Sequence, residues 1–88
     1  MLEETVEIIN KAGLHARAAS KMVELSSSFA SDIKVGHEKL VDGKSLLALM
    51  MLAAVKGTKI RIIADGPDEK KALAALLELV NNRFGEPV

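Results

Sequence analysis

Leu2, Val6 and Ile8 lie on one side of a period-2 pattern with Thr5 and Glu7 opposite, which predicts a half-buried strand over Glu3 to Ile9. The loop Asn10-Lys11-Ala12-Gly13 ends it. Beyond His15, Ala16, Ala19, Met22, Val23 and the stretch Ser26 to Phe29 recur at helical spacing, while Arg17, Lys21, Glu24 and Ser28 fall on other faces. An amphipathic helix therefore starts right after His15. Ile33 and Val35 alternate with Asp32 and Lys34, and Leu40 to Asp42 follows a turn at Gly36-His37-Glu38, so this region reads as a hairpin. Ser45 is a favoured N-cap residue in front of the strong helix formers Leu46 to Leu52, which predicts a short second helix.

After Lys56-Gly57-Thr58, Ile60, Ile62 and Ala64 alternate with Lys59, Arg61, Ile63 and Asp65 to give a fourth strand. The turn Asp65-Gly66-Pro67-Asp68 feeds a third helix. Pro67 suits its start, Asp68 and Glu69 complement its positive end, and Leu73, Leu76, Leu77, Val80 and Phe84 form its apolar stripe. Gly85 is placed to end it. The order strand, helix, strand, strand, helix, strand, helix is an α+β pattern. It predicts one antiparallel sheet with helices on a single side, leaving Glu7, Lys34 and Arg61 on the watered face.

No repeat, linker or low-complexity tract divides the 88 residues, so a single domain over residues 1–88 is expected. Charge then narrows the function classes. Twelve basic residues balance 12 acidic ones, which removes the electrostatic footprint of a nucleic-acid binder, and two Phe without Trp or Tyr cannot build a base-stacking platform. With no Cys there is no disulfide, thiolate zinc site or catalytic thiol. The longest apolar run, Leu46 to Val55, is about half of a membrane span, and the acidic start lacks the basic flank of a secretion signal. A cytoplasmic protein with no membrane insertion is the expectation.

Candidate chemistry centres on Gly13-Leu14-His15-Ala16-Arg17-Ala18-Ala19-Ser20. A helix N-terminus offers unpaired N–H groups and a positive partial charge, which together favour an anion and disfavour an imidazolium. A phosphoryl group on His15 would bring about two negative charges to those N–H groups and to the Arg17 guanidinium. Gly13 allows the close backbone turn that presents the ring. No carboxylate lies at helical ligand spacing from His15 or His37, so neither a metal nor another cofactor is expected, and His37 belongs to a surface turn. On these residues alone, a small α+β binding module in which His15 is a simple capping-region residue stays open beside phosphotransfer. An independent phosphatase would need a second group to position water, and Asn10 is the sole candidate near the His15 turn.

Three separated segments, Gly13-Leu14-His15-Ala16-Arg17, Asp42-Gly43-Lys44-Ser45-Leu46-Leu47 and Ala64-Asp65-Gly66-Pro67-Asp68-Glu69, resemble the histidine-containing phosphocarrier family (HPr) of the bacterial phosphoenolpyruvate-dependent sugar phosphotransferase system. The resemblance spans essentially the whole chain. It implies an open-faced β-sandwich of four antiparallel strands under three helices. It also implies a relay in which His15, at Nδ1, accepts a phosphoryl group from Enzyme I and passes it to an enzyme IIA domain, with Arg17 binding the phosphate. Such a carrier is not an independent catalyst, because each partner supplies the rest of the transfer site. A nitrogen-type regulatory paralogue shares the same chemistry.

Ser45 has a structural role as N-cap, and the resemblance adds phosphorylation by a dedicated kinase, HPr kinase/phosphorylase. The helix after it is apolar around most of its circumference. On the residues alone Leu47 and Met50 read equally as extra core or, if Leu49 and Leu52 face inward, as an outer patch with Leu46; the resemblance decides for the patch, as the docking face for Enzyme I and enzyme IIA. Lys21 and Lys44, with Arg17, are expected to ring that patch, and the chain is expected to act as a monomer. The sequence departs from the family at Ala18, where many members carry Pro, leaving the first helical turn less fixed.

Overall fold

The period-2 segments form a four-stranded sheet in the computed structural model, which describes residues Met1–Val88. The strands are β1 (Leu2–Glu7), β2 (Asp32–Gly36), β3 (Leu40–Asp42) and β4 (Lys59–Asp65). They run in the spatial order β1-β4-β2-β3, all antiparallel, so β1 and β3 are the edges. Register places Val6 opposite Ile60 and Val35 opposite Ile62, so apolar residues of neighbouring strands meet on the same face. That face is buried at Val6, Ile33, Val35, Ile60, Ile62 and Ala64, while Thr5, Glu7 and Lys34 meet water on the other. β1 stops at Glu7, two residues earlier than the alternation suggests, because Ile8 leaves the ladder to bond the Thr58 and Gly57 backbone.

The helices are α1 (Ala16–Ser27), α2 (Leu46–Met51) and α3 (Glu69–Asn81). Their buried residues, Ala18, Ala19 and Met22 on α1, Leu49 on α2 and Ala72, Leu73, Leu76 and Val80 on α3, share one core with the inner sheet face. The expected α+β open-faced sandwich is thus what forms. Small residues on α1 and α3 let the helices approach the sheet closely, and full burial of each Ile or Leu there is worth roughly 1.5–3 kcal/mol.

The third helix ends sooner than its apolar stripe implies. α3 stops at Asn81, and Phe84 belongs to a separate 3₁₀ turn, Arg83–Gly85, in which Arg83, Phe84 and Gly85 all have positive φ (56°, 54° and 79°). Left-handed backbone at two non-glycine residues is unfavourable by itself. Complete burial of the Phe84 ring in the core offsets that cost. The turn redirects the chain so that Glu86 comes back towards the start of α1.

Pro67 lies in the turn before α3, not in its first position; Asp68 is the N-cap. The Asp68 carboxylate does not cap its own helix. It accepts from the Ala30 and Ser31 amides, both at 2.9 Å, and from the Ser31 hydroxyl, which ties the start of α3 to the loop between α1 and β2. The Ser31 hydroxyl first, and then the Ala30 amide, hold the Asp68 pKa below its ordinary value. A carboxylate depressed in the folded state contributes stability above its unfolded pKa and loses it as pH falls through the folded one. Asp68→Asn should therefore lower the melting temperature at neutral pH and flatten its fall below about pH 4, as read by circular dichroism melts across pH.

Candidate functional site

Gly13 and Leu14 lead into α1 by docking on the loop after α2. The Leu14 amide donates to the Ala54 carbonyl at 2.8 Å, and a Cβ on Gly13 would sit 2.6 Å from that same oxygen. Gly13 also has φ +71°, so both space and conformation require glycine here. Leu14 is buried, and the chain then turns outward at His15.

His15 is the N-cap of α1, with extended backbone and a side chain that accepts from the helix. The Arg17 amide donates to His15 Nδ1 at 3.3 Å, a role usually taken by Ser, Thr, Asp or Asn. The amides of Ala16 and Ala18 have no acceptor within the protein. Alanine at position 18 thus leaves an additional N–H at the helix mouth, which proline would lack. The Arg17 side chain is exposed and lines an open cavity together with His15, Lys11 and Ala12.

The opposite ring nitrogen has a partner that the sequence reading missed. His15 Nε2 contacts Glu86 Oε2, and Glu86 Oε1 accepts from Asn10 Nδ2 at 2.9 Å. Asn10, fully buried, also donates to the Gly13 carbonyl at 2.8 Å. The hydrogen bond from Asn10 is the largest cause holding the Glu86 pKa below its ordinary value, with His15 and Arg17 adding to it despite opposing desolvation. The ring is therefore bracketed, with helix amides at Nδ1 and a carboxylate at Nε2, and its side chain is 30% exposed. Asn10 was the one local signal; Glu86 lies 71 residues from His15 and has no spacing relationship to it.

The second segment is arranged around Ser45. Its hydroxyl accepts from the Ala48 amide at 3.3 Å as the N-cap of α2, and the residue is half-buried. Leu49 is buried, while Leu46 and Met50 are each 42% exposed and Leu47 is 69% exposed. Met51, 76% exposed, and Val55 extend the apolar surface beyond the residues singled out from sequence. Lys21 and Lys44 are less free than a docking rim implies. Lys21 Nζ donates to the Phe84 carbonyl at 2.6 Å and Lys44 Nζ to the Phe29 carbonyl at 2.9 Å, so both ammonium groups also satisfy carbonyls near helix ends. His37 is exposed, with Nε2 at 3.3 Å from the Leu52 carbonyl.

No group of three His, Cys, Asp or Glu residues is placed to hold a metal ion, and no helix is long and apolar enough to cross a membrane. The site's resources are one imidazole, free amides and a guanidinium, which suit a transient covalent anion.

Comparison with known proteins agrees in sequence and in shape. Residues 2–82 match the family described as "PTS HPr component phosphorylation site". The chain is 51% identical over 87 residues to the phosphocarrier protein HPr of Neisseria meningitidis serogroup A, covering 98% of each, and 40% identical over 87 residues to the phosphocarrier protein NPr of Escherichia coli, covering 97% of each. The crystal structure of HPr-C-His from Thermoanaerobacter tengcongensis superposes with a TM-score of 0.96 at 42% identity over the full length of both chains. This chain belongs to the HPr family, the phosphocarrier proteins of the phosphotransferase system.

Proposed function

We propose that His15 Nδ1 accepts a phosphoryl group from phosphorylated Enzyme I and delivers it to a His on an enzyme IIA domain, with Arg17 binding the transferred group. The observation that carries this reading is the N-cap geometry, in which Nδ1 points at the Arg17 amide beside unpaired amides and an exposed guanidinium. A phosphoryl group on Nδ1 would displace one weak hydrogen bond. Its oxygens would gain charge-assisted ones from the same amides and from Arg17.

The open position of the site suits exchange between partners, since a deeply enclosed phosphohistidine would be over-stabilised and slow to leave. Leu46, Leu47 and Met50 supply an apolar docking face next to Ser45, and Lys21 and Lys44 add positive charge for acidic partner surfaces. Greater identity to the proteins named HPr than to NPr supports a sugar-system carrier over a nitrogen-type regulatory one.

Ser45 is half-buried at the start of α2, beside the exposed Leu46 and Leu47, where a kinase of the HPr kinase/phosphorylase type would phosphorylate its hydroxyl. A dianion there is tolerated by the amides of α2 but repels acidic partners.

His15→Ala should abolish labelling by radioactive phosphoenolpyruvate plus Enzyme I with an unchanged far-ultraviolet spectrum; retained label would refute the assignment. Leu47→Glu should slow transfer from Enzyme I about tenfold or more while the melting temperature stays within about 2 °C, as expected of an exposed position. A large drop in melting temperature would show instead that Leu47 supports the core. With a cognate serine kinase and ATP, mass spectrometry should find one added phosphate in the parent and none in Ser45→Ala.

A further inference from the structure

Each polar atom around the His15 ring has a fixed hydrogen-bonding sense. The Arg17 amide is a donor only, so His15 Nδ1 faces it as an acceptor. On the other side, Glu86 Oε1 is held by Asn10 Nδ2 at 2.9 Å, and Asn10 is itself fully buried and anchored on the Gly13 carbonyl. The remaining oxygen, Oε2, contacts His15 Nε2, and the Glu86 side chain is only 11% exposed. A carboxylate accepts only, so Nε2 is the nitrogen that carries hydrogen.

We propose that Glu86, oriented by Asn10, is a positioning residue that keeps the proton on His15 Nε2 both before and after Nδ1 is phosphorylated. The proposal rests on the reading of Nδ1 as phosphoryl acceptor. In the first transfer the Nδ1 lone pair attacks phosphorus, the bond from phosphorus to the donor nitrogen breaks, and the electron pair leaves with the donor. The Nε2 proton stays where it was. The ring then bears a phosphoryl group on one nitrogen and hydrogen on the other, which makes it a cation, and the Glu86 carboxylate lies against that charge. In onward transfer a ring-nitrogen lone pair of the acceptor histidine on the enzyme IIA domain attacks phosphorus as the Nδ1–P pair returns to the ring, so the group that leaves is neutral imidazole. Had Nε2 lost its proton, the leaving group would be an imidazolate, which is far more basic and slower to depart.

The other charges near the ring do not substitute for Glu86. Arg17 of α1 and Lys11 of the preceding loop line the same cavity, and Lys56 and Arg83 line a neighbouring hollow with Lys11; all four are cations and oppose a protonated ring. Glu86 is the anion in contact with the imidazole. Its depressed pKa, caused first by Asn10, keeps it ionised at neutral pH.

The test compares the parent, Glu86→Gln and Glu86→Asp by ¹⁵N NMR of the His15 ring, free and phosphorylated, and by the pH profile of phosphoryl transfer from the loaded carrier to an enzyme IIA domain. Melting curves establish that each variant is folded. In the free parent above neutral pH, Nε2 should be the protonated nitrogen, whereas Glu86→Gln should populate both tautomers. The phosphorylated Gln variant should lose the Nε2 proton about one pH unit lower than the parent, giving about a tenfold slower transfer on the alkaline limb, with part of the difference restored by Asp. Folded variants with the parent's ring shifts and pH profile would overturn the proposal. If the parent accepts no phosphoryl group at all, the carrier reading fails separately. The tautomer of the free ring then still decides whether Glu86 holds the proton.

Discussion

An imidazole that caps a helix cannot rotate freely, and the geometry around His15 follows from that constraint. Its Nδ1 accepts from the Arg17 amide in the first turn of the helix it opens, where the Ala16 and Ala18 amides are unpaired. Gly13 sets the approach, because only glycine fits against the Ala54 carbonyl at that φ. The chain thus reaches His15 from a packed position at Leu14 and leaves it as a helix, so the ring is presented outward from a rigid base.

The second constraint arrives from the far end of the molecule. Burial of Phe84 fixes a left-handed turn, and the residue after Gly85 is thereby delivered to the imidazole. Lys21 of α1 reinforces the join by donating to the Phe84 carbonyl. Core packing and site geometry are therefore coupled through one aromatic ring. A substitution that loosens Phe84 acts on His15 without touching it.

What the sequence revealed and what it hid divide along physical lines. β4 was legible because Ile60, Ile62 and Ala64 alternate with Lys59, Arg61 and Asp65 despite Ile63, and the start of α1 was legible because helical spacing switches on right after His15. The His15–Arg17 pair and the Ser45 cap are local features, separated by a few residues at most, so their placement followed from the pattern. Glu86 was hidden because its contact with His15 is created by tertiary folding across 71 residues, with no periodicity to betray it. Phe84 sits at helical spacing from Val80, yet the helix ends before it; periodicity reports which side of the chain is buried, not whether the backbone is still helical. The exposure of Met51 was missed for a related reason. α2 is only six residues long, too short for an apolar run to reveal which side faces outward.

The sheet's two rims bear on how such a protein behaves when crowded. β3, at one rim, has only three residues, which offers a short template for another chain to zip onto. β1, at the other, is longer but carries Glu3, Glu4 and Glu7 along its length. Two copies aligned in parallel and in register through β1 would set each of these carboxylates beside its own copy, a repulsion that discourages fibrous stacking. The exposed apolar surface of α2 is thus carried on a fold whose strand borders offer little template to another sheet.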